Sequence, residues 1–173
     1  MYKHALVYGF GPYAKHPHNI TVDIIEQITR LKLAPAVTFE TRFSRKMFET
    51  VLQKYQPQLV IGLGQDSRAK KIRIERKAIN WRKSPSGRGR PISKHGAKYH
   101  YVPLKIRSKP GTTIAYDAGD YVCNYSMYLM CEYCQNSGRK FAFLHVPLTV
   151  NVADTAALIG EIIQSLDFQI YPG

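Results

Sequence analysis

An α/β layered domain with crossover connections is what this sequence predicts, on three observations. β-type and helical segments alternate along the first half of the chain as strand–helix–strand–helix–strand, the order that gives a helix-covered, largely parallel sheet. The third of those strands, Leu59-Val60-Ile61-Gly62-Leu63-Gly64, is an almost unbroken apolar run, as expected of a central strand covered on both faces. A chain of 173 residues with 45% hydrophobic and 12% aromatic content suits one domain with a sizeable core, and a single domain over residues 1–173 is expected.

Taken in order, Lys3–Tyr8 reads as the first strand and runs into Gly9-Phe10-Gly11-Pro12-Tyr13, a turn whose Gly and Pro let the backbone lie close to a ligand. Between Asn19 and Lys32, the residues Ile20, Ile24, Ile25, Ile28 and Leu31 form one helical stripe. Ala36–Glu40 is a second strand. Ser44 is placed to cap a helix reaching about Tyr55, with Phe48, Val51 and Leu52 inward and Pro57 ending it. The central strand ends in Gly64-Gln65-Asp66-Ser67-Arg68, which sets a side-chain amide at its carboxyl end. Lys71–Asn80 alternates as one strand, with Ile72 and Ile74 on one face and Arg73 and Glu75 on the other. Trp81–Gly96 is rich in Gly, Pro, Ser and basic residues and reads as an exposed loop or hairpin, a basic insertion at about 82–98. Tyr99–Leu104 reads as strand, whereas Lys105–Gly111 is too short and too rich in Pro and Gly for a crossover helix. Thr112–Tyr116 is β-type. A helix follows from Cys123 to about Gln135, ended by Asn136-Ser137-Gly138. Lys140–Pro147 is a further strand, and Asp154–Leu166 closes the domain as a helix.

Composition narrows the classes. The N-terminus enters a β-type pattern directly, with no signal-peptide arrangement. No apolar run reaches the roughly 18 residues of a membrane span. Three cysteines argue against a disulfide scaffold. The expectation is a soluble cytoplasmic protein without a membrane segment. The net charge of +13 is concentrated: fifteen of the 25 Lys and Arg, but only Asp66 and Glu75 of the twelve acidic residues, fall between Asp66 and Lys109, and the remainder of the chain is neutral. Such a segment can attract nucleic acid, an anionic surface or acidic peptides, or it can be a solvated loop face.

The chemistry-bearing pattern lies further on. Cys123 stands where a β-type segment gives way to a helix, and the free N–H groups and dipole at a helix start favour a thiolate. His145 lies near the carboxyl end of Lys140–Pro147, the rim where Cys123 is also expected, and a Cys and a His converging at one rim suggest a nucleophile and its base. Ligands of open α/β sheets bind beyond the carboxyl ends of the strands, here Gly9–Tyr13, Gly64–Arg68 and Asp117–Cys123. Cys131-Glu132-Tyr133-Cys134 has CxxC spacing, but it lies in the last turns of a helix without a second pair, so it reads as structural rather than redox-active or zinc-binding. No metal or cofactor is implied.

Gly9-Phe10-Gly11-Pro12-Tyr13, Gly64-Gln65, Arg68, Glu75-Arg76-Lys77-Ala78-Ile79-Asn80, Ala118-Gly119-Asp120-Tyr121-Val122-Cys123-Asn124 and Leu144-His145-Val146-Pro147, in that order, resemble pyroglutamyl peptidase I, the pyrrolidone-carboxylate peptidases among the cytoplasmic cysteine peptidases. The resemblance spans most of the chain. It implies a single-domain three-layer α/β/α sandwich with a mixed, mostly parallel sheet. It implies a catalytic triad of Cys123, His145 and Glu75 that removes an N-terminal pyroglutamyl group from a blocked peptide. It also implies Phe10 and Tyr13 flanking the lactam ring, Gln65 and the Val122 backbone near its amide, and Asn19, Arg68, Asn80 and Asn124 in support. A homo-oligomer is implied as well.

The chain departs from the family in its substrate-facing loops. Tyr13 stands where Phe is usual, Asp66-Ser67 replaces small residues, and the basic stretch Arg82–Pro91 replaces a loop that carries an oxyanion-assisting arginine, leaving Arg82 or Lys83 as substitutes. Two alternatives therefore stand beside the peptidase reading: a related cysteine amidase with another N-terminal specificity, and a non-catalytic relative that binds nucleic acid or acidic partners through residues 66–109.

Overall fold

A computed structural model describes residues 4–13, 16–83, 87–135 and 137–170, with the side chains of 166–170 left out. Twelve elements follow one another: β1 Ala5–Phe10, α1 Ile20–Arg30, β2 Ala36–Phe39, α2 Arg45–Tyr55, β3 Leu59–Gln65, β4 Ile72–Glu75, β5 Lys77–Ile79, β6 Tyr99–Tyr101, β7 Thr112–Ala115, α3 Val122–Cys134, β8 Lys140–Val146 and α4 Val152–Ile170. Six strands form one sheet in the order β2-β1-β3-β8-β4-β7, and β5 and β6 form a separate antiparallel pair. The pairings β1·β2, β1·β3, β3·β8 and β4·β7 are parallel, while β4 meets β8 antiparallel. The sheet is thus mixed and mostly parallel, as expected.

Strand alternation sorts the core into two halves. Val7, Ile61, Leu63, Ile74 and Leu144 pack under α1 and α4 through Ile24, Ile25, Ile28, Ile159 and Ile163. Leu6, Tyr8, Phe10, Val60, Phe141 and Phe143 pack on the opposite face under α2 and α3 through Phe48, Leu52, Tyr125 and Met127. This is the three-layer α/β/α arrangement. Its helix ends follow local chemistry. The Asn19 side chain accepts from the Thr21 N–H at the start of α1, and the Ser44 hydroxyl accepts from the Met47 N–H at the start of α2.

Two expectations need correction. The single strand over Lys71–Asn80 is two: β4 ends at Glu75, Arg76 breaks away, and β5 pairs with β6 outside the main sheet. The Arg76 N–H is bonded to the Ala115 carbonyl and the Arg76 carbonyl accepts from Val102 N–H, so this residue hands the chain from one sheet to the other. The second correction concerns β7. It lies parallel to β4 and both oppose β8, so its carboxyl end points to the rim opposite that of β1, β3 and β8. Cys123 reaches the His145 rim only because residues 116–121 fold back. The short Lys105–Gly111 connection fits this topology, since no helix is needed between β6 and β7.

Candidate active site

One row of residues crosses the sheet face beneath α3. In register, Gly64 of β3 pairs with His145 of β8, and His145 pairs with Arg73 of β4. Glu75 lies two residues further along β4, on the same face as Arg73. Its Oε1 is 2.8 Å from His145 Nδ1, and the carboxylate is fully buried. On the other side of the ring, Cys123 and His145 meet over Gly64. A Cβ built on Gly64 would fall 2.7 Å from Cys123 Sγ, 2.8 Å from His145 Cδ2 and 3.0 Å from Nε2. Glu75, His145 and Cys123 therefore form a continuous chain from a buried carboxylate, through an imidazole, to a half-exposed thiol.

The charge distribution suits that order. Burial opposes the charged form of His145, but the Cys123 sulfur and the Glu75 carboxylate outweigh it and raise the imidazole to about 10. A cationic imidazole next to sulfur is the environment that stabilises a thiolate. Cys123 is the second residue of α3, whose N-cap, Tyr121, makes no side-chain cap hydrogen bond. The N–H groups of that first turn thus have no capping side chain and are available to an anion. The turn is fixed from below: Tyr8 on β1 donates to Ser126 Oγ at 3.0 Å, and Ser126 donates to the Cys123 carbonyl at 2.9 Å. Cys131 and Cys134 differ. Both are buried free thiols, burial pushing Cys131 far up and Cys134 up to about 12, which disfavours their thiolate forms.

A cleft of about 390 Å³ opens over Cys123 and His145, walled by Phe10, Tyr13, Gln65, Val122 and the Asp117–Tyr121 loop, and by Asn19, Arg68 and Arg73. Phe10 is buried, whereas Tyr13 is half-buried with its ring 6.4 Å from that of Tyr121. Burial raises the Tyr13 hydroxyl, which keeps it neutral. Gln65 Oε1 accepts from the Ile20 N–H at the start of α1, and its buried Nε2 interacts with the Tyr13 hydroxyl without forming a well-shaped hydrogen bond. A donor of that kind on a cleft wall is suited to a ligand carbonyl.

The remaining expected residues hold these walls. Asn19 Nδ2 donates to the Gly11 carbonyl at 3.0 Å, fixing the β1 turn. Asn80 accepts from Ile92 and Ser93 N–H and donates to the Ser93 carbonyl, which closes the 92–96 loop. Asn124 accepts from Ile79 N–H and donates to the carbonyls of Ile79 and Trp81, tying β5 to α3. Arg68 lies exposed on the cleft wall. Arg82 is engaged away from the cleft: its guanidinium stacks over Phe43 and Tyr125, 4.9 and 5.6 Å from their ring centroids, and neither Arg82 nor Lys83 is among the residues that line the cleft. Arg73 was not anticipated. It contacts Asp66, Glu75 and the Asp117 carbonyl, and its signal was its place two residues from Glu75 on one strand face. Gly62 was missed likewise; with Gly64 it leaves a trough on β3, filled at Gly62 by the Tyr8 ring.

Among the described residues, no helix is long and apolar enough to cross a membrane, and no group of three or more His, Cys, Asp or Glu side chains is placed to hold a metal. A family model described as pyroglutamyl peptidase matches residues 3–169. The pyrrolidone-carboxylate peptidase of Lactobacillus acidophilus is 28% identical, over 82% of each chain, and that of Thermococcus litoralis is 26% identical over 92% of this chain and 83% of the relative. The crystal structure of pyroglutamyl peptidase I from Bacillus amyloliquefaciens superposes with a TM-score of 0.72 at 20% identity, covering 90% of this chain and 93% of that one. The Thermococcus litoralis pyrrolidone carboxyl peptidase structure superposes with a TM-score of 0.74 at 23% identity, covering 95% and 94%. These likenesses support the fold described above.

Proposed function

Because this chain belongs to the pyroglutamyl peptidase family, we propose that it is a cysteine omega-peptidase that removes an N-terminal pyroglutamyl group from peptides, with Cys123 as nucleophile, His145 as proton carrier and Glu75 as the group that orients and charges the imidazole. The observation that carries this is the buried Glu75–His145 hydrogen bond of 2.8 Å with Cys123 against the opposite side of the ring. The Cys123 thiol gives its proton to His145 and the sulfur attacks the carbonyl carbon that links the blocked first residue to the second, forming a C–S bond. The developing oxyanion is held by the free N–H groups at the start of α3, that of Cys123 among them. The C–N bond then breaks as His145 gives its proton to the leaving amine, which departs as the shortened peptide. Water enters, loses a proton to His145 and attacks the thioester. Pyroglutamate is released and the thiol–imidazole pair restored. Phe10 and Tyr13 flank the lactam ring, and Gln65 Nε2 and the Val122 backbone meet its amide.

The charged wall of Asp66, Arg68 and Arg73 favours one further reading, an amidase of the same chemistry that accepts a more polar blocked residue. A panel of fluorogenic amides tests both: pyroglutamyl against acetylated, formylated and free N-terminal residues. Preference for the pyroglutamyl amide of at least tenfold in kcat/KM is expected, and preference for another blocked residue would replace the specificity while keeping the chemistry. The basic segment 66–109 suits an anionic partner as an additional property. Its exposed Tyr99 and Tyr101 stand among Lys77 and Lys98, an arrangement that stacks on and neutralises single strands. Passage through phosphocellulose without retention at moderate salt would remove this property.

A further inference from the structure

Resting on the peptidase reading above, we propose that Arg73 is a positioning residue of the reaction, the strut that fixes the loop carrying Cys123 against the buried carboxylate that holds His145. The guanidinium joins three separate segments. It donates to Asp66 Oδ2 at 2.8 Å in the loop after β3, lies 3.1 Å from Glu75 Oε1 on its own strand, and donates to the Asp117 carbonyl at 2.5 Å in the loop before α3. A planar fork of five donors can make these contacts together, whereas a lysine ammonium supplies one point charge on a flexible stem.

The contact to Asp117 matters because of the topology. β7 runs away from the site, so residues 116–121 must double back to bring Cys123 over Gly64. That loop is largely exposed, with Tyr116, Asp117, Gly119 and Tyr121 all at the surface. Its backbone is anchored to the rest of the cleft by Arg73 at Asp117 and by the Lys83 N–H at the Asp120 carbonyl. Loosening the first anchor lets the start of α3 shift relative to His145, and displacement of about 1 Å can cost on the order of a hundredfold in rate.

Arg73 also shares the triad carboxylate. Glu75 Oε1 faces both His145 Nδ1 and Arg73 Nη2. The charged groups around His145 are Glu75 and Arg73 from β4, Cys123 from α3 and Asp66 from the loop after β3. Without the Arg73 cation, the carboxylate acts on the imidazole alone, and His145 retains its proton to higher pH. A proton held more tightly is transferred less readily to the leaving amine.

Arg73→Met and Arg73→Lys test this. Arg73→Met is expected to lower kcat for a pyroglutamyl amide more than tenfold and to move the alkaline limb of kcat/KM upward by about half a pH unit or more. Arg73→Lys restores the cation but not the three-way clasp, so the alkaline limb returns to the parent position while kcat stays reduced at least threefold. The His145 ring titration, followed by NMR, reports the same shift without substrate. If the parent hydrolyses no pyroglutamyl amide, the proposed function falls and the titration alone decides the role of Arg73. An unchanged titration and, where activity exists, kcat within twofold of the parent in both variants would overturn the proposal, leaving Arg73 a structural ion pair that shows only in thermal unfolding.

Discussion

Gly64 matters to the site through what it lacks. Its Cα is the floor on which Cys123 and His145 meet, and a Cβ there would lie 2.7 Å from the sulfur and 2.8 Å from the ring. Neither group can retreat freely, because His145 is bonded to Glu75 and Cys123 is fixed in the first turn of α3. Gly64→Ala is therefore expected to part the pair and reduce kcat/KM by about a hundredfold, with the melting temperature within a few degrees of the parent. Steady-state kinetics beside calorimetry checks this, and a fully active Gly64→Ala protein would mean that the two groups do not work in contact. The cost falls on the pair that most shapes the local charge. His145 is held charged up to about 10, against an ordinary value near 6.5. Its folded-state value is raised, so the stability it contributes is fully present below about 6.5 and is lost as pH climbs through the raised value.

Among the elements, the strands were the most legible. Alternation along Lys71–Glu75 already places Arg73 and Glu75 on one face, the apolar runs Leu59–Gly64 and Lys140–Pro147 mark the strands that carry Gly64 and His145, and the resemblance picked out Cys123, His145 and Glu75. What alternation cannot carry is strand direction. Nothing within Thr112-Thr113-Ile114-Ala115 marks it as opposed to β8, since direction is set by partners distant in sequence. The break at Arg76 was hidden for a related reason: Ile74, Ala78 and their neighbours keep alternating while the chain passes from one sheet to another. In α3, nearly all of Val122–Cys131 is buried, because β5 and β6 cover the side that would otherwise face water. Asn124 holds that cover in place through three hydrogen bonds to β5 and Trp81. Asn124→Ala leaves the Ile79 N–H and two carbonyls without these partners, an expected loss of about 3 kcal/mol. That corresponds to a fall of roughly 10 °C in melting temperature, readable by calorimetry. A change under 2 °C would show that the hairpin holds without Asn124.

For the molecule as a whole, the middle segment that carries the entire charge excess also supplies part of the site. Residues 66–109 leave the main sheet after β4, build the β5–β6 cover over α3 and return to β7. The same excursion supplies Glu75 and Arg73, the Asn80 clasp and the Lys83 anchor of the loop before α3. Its composition reads as loop and insertion because Gly, Pro and lysine-rich stretches carry no period. Its order comes from side chains such as Asn80 and Asn124 bonding to backbone far along the chain, which no local pattern announces. The layered architecture was legible in sequence, and the resemblance named the Glu75, His145 and Cys123 side chains that the structure brings side by side; the contacts of Arg73 and the fold-back at 116–121 were products of tertiary topology. The most direct test of the account joins chemistry to one atom: hydrolysis of a pyroglutamyl fluorogenic amide before and after alkylation by iodoacetamide, with the labelled peptide identified by mass. Turnover that disappears in step with one label on Cys123, while Cys131 and Cys134 stay unlabelled, is the predicted result. Turnover that survives full labelling of Cys123, or that persists in Cys123→Ser, would contradict the account.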